Sequence, residues 1–287
     1  MNALYESILA STSSGNEYIV KKEVEEWIEA IPQTNNIKDY KIKYIKNRYY
    51  LFLRKTHKYD SDIIISSNEA YKKMPKLISF IFVEDPDSTE ECTPGPTNLL
   101  FENLRNLEVD LSKLILPKGV PGLYINSSYN IYISNCTNTR VKGINIDPSY
   151  VSEYSELSMI FRNCKNCSLE NTDLKDGSLD VLQCGEFINN INRCNIGVLG
   201  ITVDNLKDLK LKEKTGNSRN YCEIDPENTK RLYKLERTNS IEKIILFLLP
   251  DDLKKFDKEY YKGAISSNNI LSYSGKSYTV HSYNRTT

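Results

Sequence analysis

The chain has 287 residues, and its 38 basic and 38 acidic side chains give a formal net charge of zero. Nucleic-acid-binding domains usually carry a basic excess, because neutralised phosphates supply much of their affinity, so the charge balance argues against that class. Hydrophobic residues make up 39% of the sequence and charged residues 26%, which is the balance of a folded globular protein rather than a disordered one.

The first segment, residues 1–97, is predicted to be α+β. Apolar residues recur at helical spacing up to a proline at position 32, which predicts a helix over about 17–31 with Trp27 on its buried face. The acidic, proline-containing stretch 84–97 is predicted to be a linker because it has too few apolar side chains to bury itself.

Strands are also predicted in this segment. Residues 40–45 alternate between polar and apolar, and residues 49–53 do so again after a short polar turn, which predicts a hairpin. Two more apolar runs, 63–65 and 77–83, are expected to be strands.

The second segment, residues 98–215, changes in character. Short apolar triplets such as Ile131-Tyr132-Ile133 are separated by turns such as Asn135-Cys136-Thr137-Asn138, and asparagine tolerates the left-handed backbone that tight corners need. Many short strands with recurring turns predict a β-solenoid, with a β-sandwich as the alternative. Some of the cysteines of this region are expected to be small buried rungs between stacked coils.

Two phrases carry a resemblance to a known family. Ile133-Ser134-Asn135-Cys136-Thr137-Asn138 and the run from Phe161 to Cys167 resemble the Asn-Cys repeats of the β-helices in tubulin cofactor C and cyclase-associated protein. The resemblance covers about 50 residues and implies a solenoid fold. The Gln-Gln-x-Arg-x-His signature of those families does not occur here, so no functional residue is carried over.

The third segment, residues 216–287, is predicted to be mixed again. Asp225-Pro226 is a favourable helix start, because proline suits the first helical position, and a helix is expected over about 226–237. The apolar run 241–249 fits either a strand or a buried helix. The remaining expectations are a helix at 251–261 and strands at 270–273 and 278–283.

Three groups of residues are candidates for chemistry. Cys164 and Cys167 form a C-x-x-C pair, with Cys184 and Cys194 further on, but a structural zinc site needs two close pairs and the second pair is widely spaced. Carboxylates on successive coils could cleave a glycosidic bond, and a basic-aromatic hairpin could bind a single-stranded nucleic acid. The candidate carboxylates are Asp173, Asp176 and Asp180, and the candidate hairpin residues are Lys43, Arg48 and Tyr49.

No cofactor is predicted, because no phosphate-binding glycine motif is present. The sequence favours a non-catalytic structural or protein-interaction protein that self-assembles, such as a viral or particle component, because its charge is balanced and tyrosine is abundant, with 20 residues. The alternatives are a carbohydrate-active enzyme and a nucleic-acid-binding module. Residues 1–30 lack an apolar export signal, so a cytoplasmic location and no membrane partner are expected.

Overall fold

The computed structural model describes most of the repetitive region and parts of the segments on either side. The described residues are 26–27, 40–45, 48–55, 62–74, 78–84, 97–113, 115–116, 129–146, 157–206, 211–214, 221–224, 226–248, 270–273 and 276–282. The chain divides into two compact units, Met1–Ser158 and Met159–Thr287.

Besides the helical residues 26 and 27 and a 3-10 helix at Leu111–Lys113, the described part of the first unit contains ten strands and a short α-helix. They are β1 (Tyr40–Ile45), β2 (Arg48–Lys55), β3 (Asp62–Ile65), α1 (Asn68–Lys73), β4 (Ile78–Glu84), β5 (Thr97–Glu102), β6 (Arg105–Asp110), β7 (Ile115–Leu116), β8 (Tyr129–Ser134), β9 (Thr137–Lys142) and β10 (Asn145–Ile146). The hairpin β1–β2 is antiparallel, and β4 extends it in parallel with β2.

Parallel pairing dominates the rest of the first unit. Strand β5 lies between β3 and β8, and each of these two pairs is parallel. Strands β6 and β9 form a second parallel pair, and β7 and β10 a third. The alternating pattern explains the core, since Leu99, Phe101, Ile131 and Ile133 are all fully buried.

The second unit holds the elements from β11 onwards, except for the first two residues of β11. They are β11 (Leu157–Arg162), β12 (Ser168–Glu170), β13 (Asp173–Leu182), a 3-10 helix (Phe187–Asn190), β14 (Ile191–Asn192), β15 (Asn195–Thr202), β16 (Leu211–Lys214), β17 (Tyr221–Ile224), α2 (Pro226–Thr238), β18 (Ser240–Leu248), β19 (Ile270–Tyr273) and β20 (Lys276–Ser282). The main sheet of this unit has the order β11-β13-β15-β18-β20-β19.

Most neighbours in the second unit are also parallel. The pairs β13–β15, β15–β18 and β18–β20 are parallel, as is the smaller pair β12–β14. The hairpins β19–β20 and β16–β17 are antiparallel. The chain is therefore a β-rich α+β protein built mainly on parallel strands with few helices, which confirms the predicted fold class at that level.

Several predicted elements are confirmed at their expected places. The hairpin, the strands near 63–65 and 77–83, and both C-terminal strands are present, and Pro226 is the first residue of α2. The ambiguous run at 241–249 is the strand β18. Trp27 is fully buried, and its Nε1 donates a hydrogen bond to the Ala70 carbonyl at 3.0 Å.

Other predictions fall outside the described residues. Of the helix expected over 17–31, only residues 26 and 27 are described, and both are helical. Residues 85–96 of the linker and the whole of the helix at 251–261 also lie outside. The predicted segment boundaries stay predictions, although β3 pairs with β5 across the first of them and β18 pairs with β15 across the second.

Candidate functional site

Left-handed asparagines form the corners between strands. Asn103, Asn135 and Asn163 have φ values of 57°, 54° and 53°, and each directly follows a strand of the main parallel ladder. A second left-handed asparagine follows three residues later in each case, at Asn106, Asn138 and Asn166. A left-handed backbone is much less costly for asparagine than for most other residues, so the sequence itself encodes the bend.

A buried residue follows each of the first corner positions, and after Asn103 it is Leu104. Cys136 and Cys164 come after Asn135 and Asn163, and Cys184 follows the left-handed Gln183 at the next equivalent corner. Each thiol donates to the carbonyl oxygen two residues before it, over sulfur–oxygen distances of 3.2–3.5 Å. Cysteine fits because it is small, largely apolar and able to donate one weak hydrogen bond.

At neighbouring corners, threonine donates the equivalent hydrogen bond. The hydroxyls of Thr139 and Thr172 donate to carbonyls two residues back, each at 3.1 Å, and both side chains are buried. The Thr139 hydroxyl also lies 3.2 Å from the Leu104 carbonyl oxygen, and the Cys136 sulfur lies 3.6 Å from the Phe101 carbonyl oxygen. These groups therefore link one turn of the chain to the turn beside it.

The four cysteines considered as candidate metal ligands are all part of this buried arrangement. Cys164, Cys167, Cys184 and Cys194 are each at most 6% exposed, and each thiol donates to a backbone carbonyl. Burial raises the pKa of the Cys194 thiol to about 11, which disfavours the thiolate that zinc would need. Among the residues that the structure describes, no group of three or more His, Cys, Asp or Glu side chains could hold a metal ion.

The three candidate carboxylates share strand β13 but not one environment. Asp173 and Asp176 are exposed, and Asp173 Oδ1 accepts a hydrogen bond from the Lys175 amide at 3.1 Å. Asp180 is half-buried beside Gly200, and burial raises the pKa of its carboxyl to about 6. Between Leu174 and Ser178 the register with β15 shifts, so these acids do not follow the simple spacing of a regular strand.

The hairpin residues predicted to bind nucleic acid are separated by their register. Lys43 is opposite Tyr50, Arg48 is opposite Ile45, and Tyr49 is opposite Tyr44. Residues alternate between the two faces of a strand pair, so Lys43 and Arg48 fall on one face and Tyr49 on the other. The binding of nucleic acid by this hairpin stays a prediction.

An apolar row that the sequence interpretation missed crosses the ladder of the first unit. Ile64, Leu100 and Tyr132 are directly in register on β3, β5 and β8, and all three are half-buried, so each is partly exposed. We call these three residues the apolar stripe. Asn98 and Asn130 flank it on one side, joined by a 2.9 Å hydrogen bond between their amides, and Glu102 and Ser134 flank it on the other.

Polar atoms without partners are buried on α2 in the second unit. Asn228 is 1% exposed, and neither its Nδ2 nor its Oδ1 has a hydrogen-bond partner; the same is true of Arg231 Nη1. Leaving a buried polar atom unsatisfied costs about 1–3 kcal/mol. The two side chains are three residues apart and so share a helix face. Arg231 Nη2 lies 3.9 Å from Glu186 Oε1.

Comparison with known proteins gives no relative from which a role can be transferred. No protein-family model, no curated protein and no solved structure matches the chain. In the part of the chain that the structure describes, no helix has the length and apolar character needed to cross a membrane.

Proposed function

We propose that this protein is a non-catalytic interaction protein whose repetitive region is a parallel β-solenoid, and that it associates with further copies of itself through the apolar stripe. The observation that carries the proposal is the stripe itself: Ile64, Leu100 and Tyr132 lie in register and partly exposed on the outer face of parallel strands. An apolar strip with polar residues on both sides is the composition of a protein interface.

Support for the solenoid comes from the corners. The left-handed Asn103, Asn135 and Asn163 recur at equivalent places, and the buried residues that follow them stack between neighbouring turns of the chain. Sandwiches are built from antiparallel sheets, whereas the ladders here are mainly parallel, which favours the solenoid over the sandwich.

Two further features favour a second copy as the partner. The chain carries no net charge, so two copies repel each other little near neutral pH. Strand β3 is also the terminal strand in the order of its sheet, and among the described residues no strand pairs with its outer edge. A terminal strand offers unpaired backbone groups to another chain beside the apolar stripe.

Light scattering coupled to size-exclusion chromatography tests the proposal. The wild-type chain is expected to form a dimer or larger species as its concentration rises, and Leu100→Lys is expected to shift it to the monomer because a charge then lies in the middle of the stripe. Ser178→Lys is the matched control, since Ser178 is also partly exposed on a parallel strand, but in the second unit. A wild-type chain that stays monomeric at every concentration would contradict the proposal.

The alternative is a carbohydrate hydrolase with Asp180 as its general acid. A carboxyl with a pKa near 6 keeps part of its proton near neutral pH, as a glycosidase acid must, and burial raises the pKa of Asp180 to about 6. Screening the chain against a panel of glycans tests this reading. Turnover that Asp180→Asn abolishes and Asp176→Asn preserves would favour the enzyme over the interaction protein.

A further inference from the structure

The inner face of α2 carries polar groups where a packed helix usually carries apolar ones. Asn228, Arg231, Leu232 and Leu235 follow the spacing of one helix face, and both leucines are buried, as is Asn228. The helix packs against the 3-10 helix Phe187–Asn190 and against β14 and β18. Asn228 therefore lies inside a packed contact rather than at its rim.

The unpartnered atoms define what can satisfy them. Asn228 Nδ2 and Arg231 Nη1 are hydrogen-bond donors, and Asn228 Oδ1 is an acceptor. Exchanging the nitrogen and oxygen of the Asn228 amide changes nothing, because one donor and one acceptor remain in either orientation. A molecule that satisfies all three atoms must therefore accept hydrogen bonds and also donate one.

Two common ligand classes do not meet this requirement. A carboxylate or halide would accept from the two donors but leave the asparagine oxygen unsatisfied. Glu186 already lies near the Arg231 guanidinium, which weakens the attraction for a further anion. A metal ion fails for the opposite reason, because it cannot accept a hydrogen bond from either nitrogen.

We propose that Asn228 and Arg231 form a binding site for one small neutral molecule that donates and accepts hydrogen bonds at the same time, through a hydroxyl group or as water. The molecule accepts from Asn228 Nδ2 and Arg231 Nη1 and donates to Asn228 Oδ1, which satisfies all three buried atoms. Arg231 is only partly buried, so the site is closest to solvent along that side chain. The site is independent of the apolar stripe, which lies in the other unit.

The sign of a stability change tests the site. Asn228→Leu removes both polar atoms of the Asn228 amide. If those atoms are unsatisfied in the folded chain, the melting temperature rises. If a bound molecule satisfies them, the melting temperature falls by about 3 °C or more, because Arg231 and the bound molecule lose a hydrogen-bond partner. Thr229→Leu, at the next position on the helix, is the control for introducing leucine. A rise specific to Asn228→Leu would overturn the proposal.

Crystallography of the full chain gives a readout that does not depend on a variant. Electron density is expected within hydrogen-bond distance of all three atoms. Soaking with 2-bromoethanol separates the two sources: a bromine anomalous peak beside the site identifies a hydroxyl-binding site, and unchanged density identifies a water site. Either result supports the proposal. Retention of bromide ion from sodium bromide at the site, or no density there at all, would refute it.

Discussion

Cys164 and Cys184 lie at equivalent corners on adjacent turns of the chain, and the backbone amide of Cys164 donates a hydrogen bond to the Cys184 sulfur at 3.4 Å. The Cys184 thiol in turn donates to the Leu182 carbonyl at 3.2 Å. One thiol therefore accepts from the neighbouring turn and donates within its own. This dual role explains why cysteine, rather than alanine, occupies the corner.

The buried thiols should resist alkylation in the folded chain. With iodoacetamide at neutral pH, we expect Cys136, Cys164, Cys167, Cys184 and Cys194 to stay unmodified for as long as the protein is folded, because all five are buried. For Cys194, the rise in pKa from 9.0 to about 11 also lowers the thiolate fraction about a hundredfold. Peptide mass spectrometry checks this, with the protein unfolded in urea as the control. Rapid native labelling of any of the five would contradict it.

The left-handed corners should prefer glycine to alanine. Asn135 has a φ of 54°, so Asn135→Ala is expected to lower the free energy of unfolding by about 1–2 kcal/mol, whereas Asn135→Gly should be nearly neutral. Urea unfolding measures both.

Asn192, in strand β14, is the matched control because its backbone is not left-handed. There the order should reverse, with glycine less stable than alanine, since glycine weakens a strand. If glycine were more stable than alanine at both positions, backbone conformation would not be what sets the relative stability of the two variants.

Two glycines of β15 should respond differently to alanine. At Gly197 a Cβ atom would meet the carbonyl oxygens of Lys175 and Gly177, which are backbone atoms. At Gly200 it would meet the ends of the Asp180 and Phe247 side chains, which can move. Gly197→Ala is therefore expected to lower the melting temperature more than Gly200→Ala, with a cost of about 1–3 kcal/mol or more. Thermal unfolding of the two variants decides the order.

The carboxyl of Asp180 should make stability depend on pH. Burial raises its pKa from 3.8 to about 6, so between these values the folded chain holds a proton that the unfolded chain releases. The free energy of unfolding should therefore fall as pH rises from about 4 to about 7, by on the order of 3 kcal/mol.

Replacing this carboxyl tests the assignment. Asp180→Asn should flatten the decline and raise stability at pH 7, while Asp176→Asn, at an exposed position on the same strand, should leave the slope unchanged. Chemical unfolding at a series of pH values measures the slope. An unchanged slope in Asp180→Asn would assign the dependence to another group.

Turns and helix starts could be predicted from the sequence because the residues at those positions determine them. Asparagine in the turns predicted the left-handed corners at Asn135 and Asn163, and the Asp225-Pro226 pair predicted the start of α2. Both signals depend on one or two residues and their own backbone preferences, so no knowledge of distant partners was needed.

Strand partners were harder to predict because the interval between them varies. Asn98 pairs with Asn130, 32 positions later, whereas Leu169 pairs with Ile191, 22 positions later, and Asn195 pairs with Ser240, 45 positions later. No single repeat length describes these pairs. Which residues meet is decided by burial across the whole ladder, and a search for one period in the sequence cannot recover it.

The apolar stripe was missed for a related reason. Ile63, Ile64 and Ile65 form one continuous apolar run, yet Ile63 and Ile65 are buried while Ile64 is partly exposed. A continuous apolar run gives no alternation from which the outer face of its strand can be read. Similarly, the polar Asn228 and Arg231 look like ordinary helix-surface residues until the packing of α2 is known.

The longest of the three sequence intervals between paired residues, from Asn195 to Ser240, begins and ends at neighbouring strands. Between Asn195 and Ser240 the chain forms the hairpin β16–β17 and the helix α2, and then returns to pair beside β15. The Asn239 amide helps to secure this return, since its Oδ1 accepts from the Cys194 amide and its Nδ2 donates to the Ile191 carbonyl, each at 2.9 Å. The architecture thus tolerates excursions of very different length, which makes this connection a natural place to graft a foreign domain without interrupting the strands on either side.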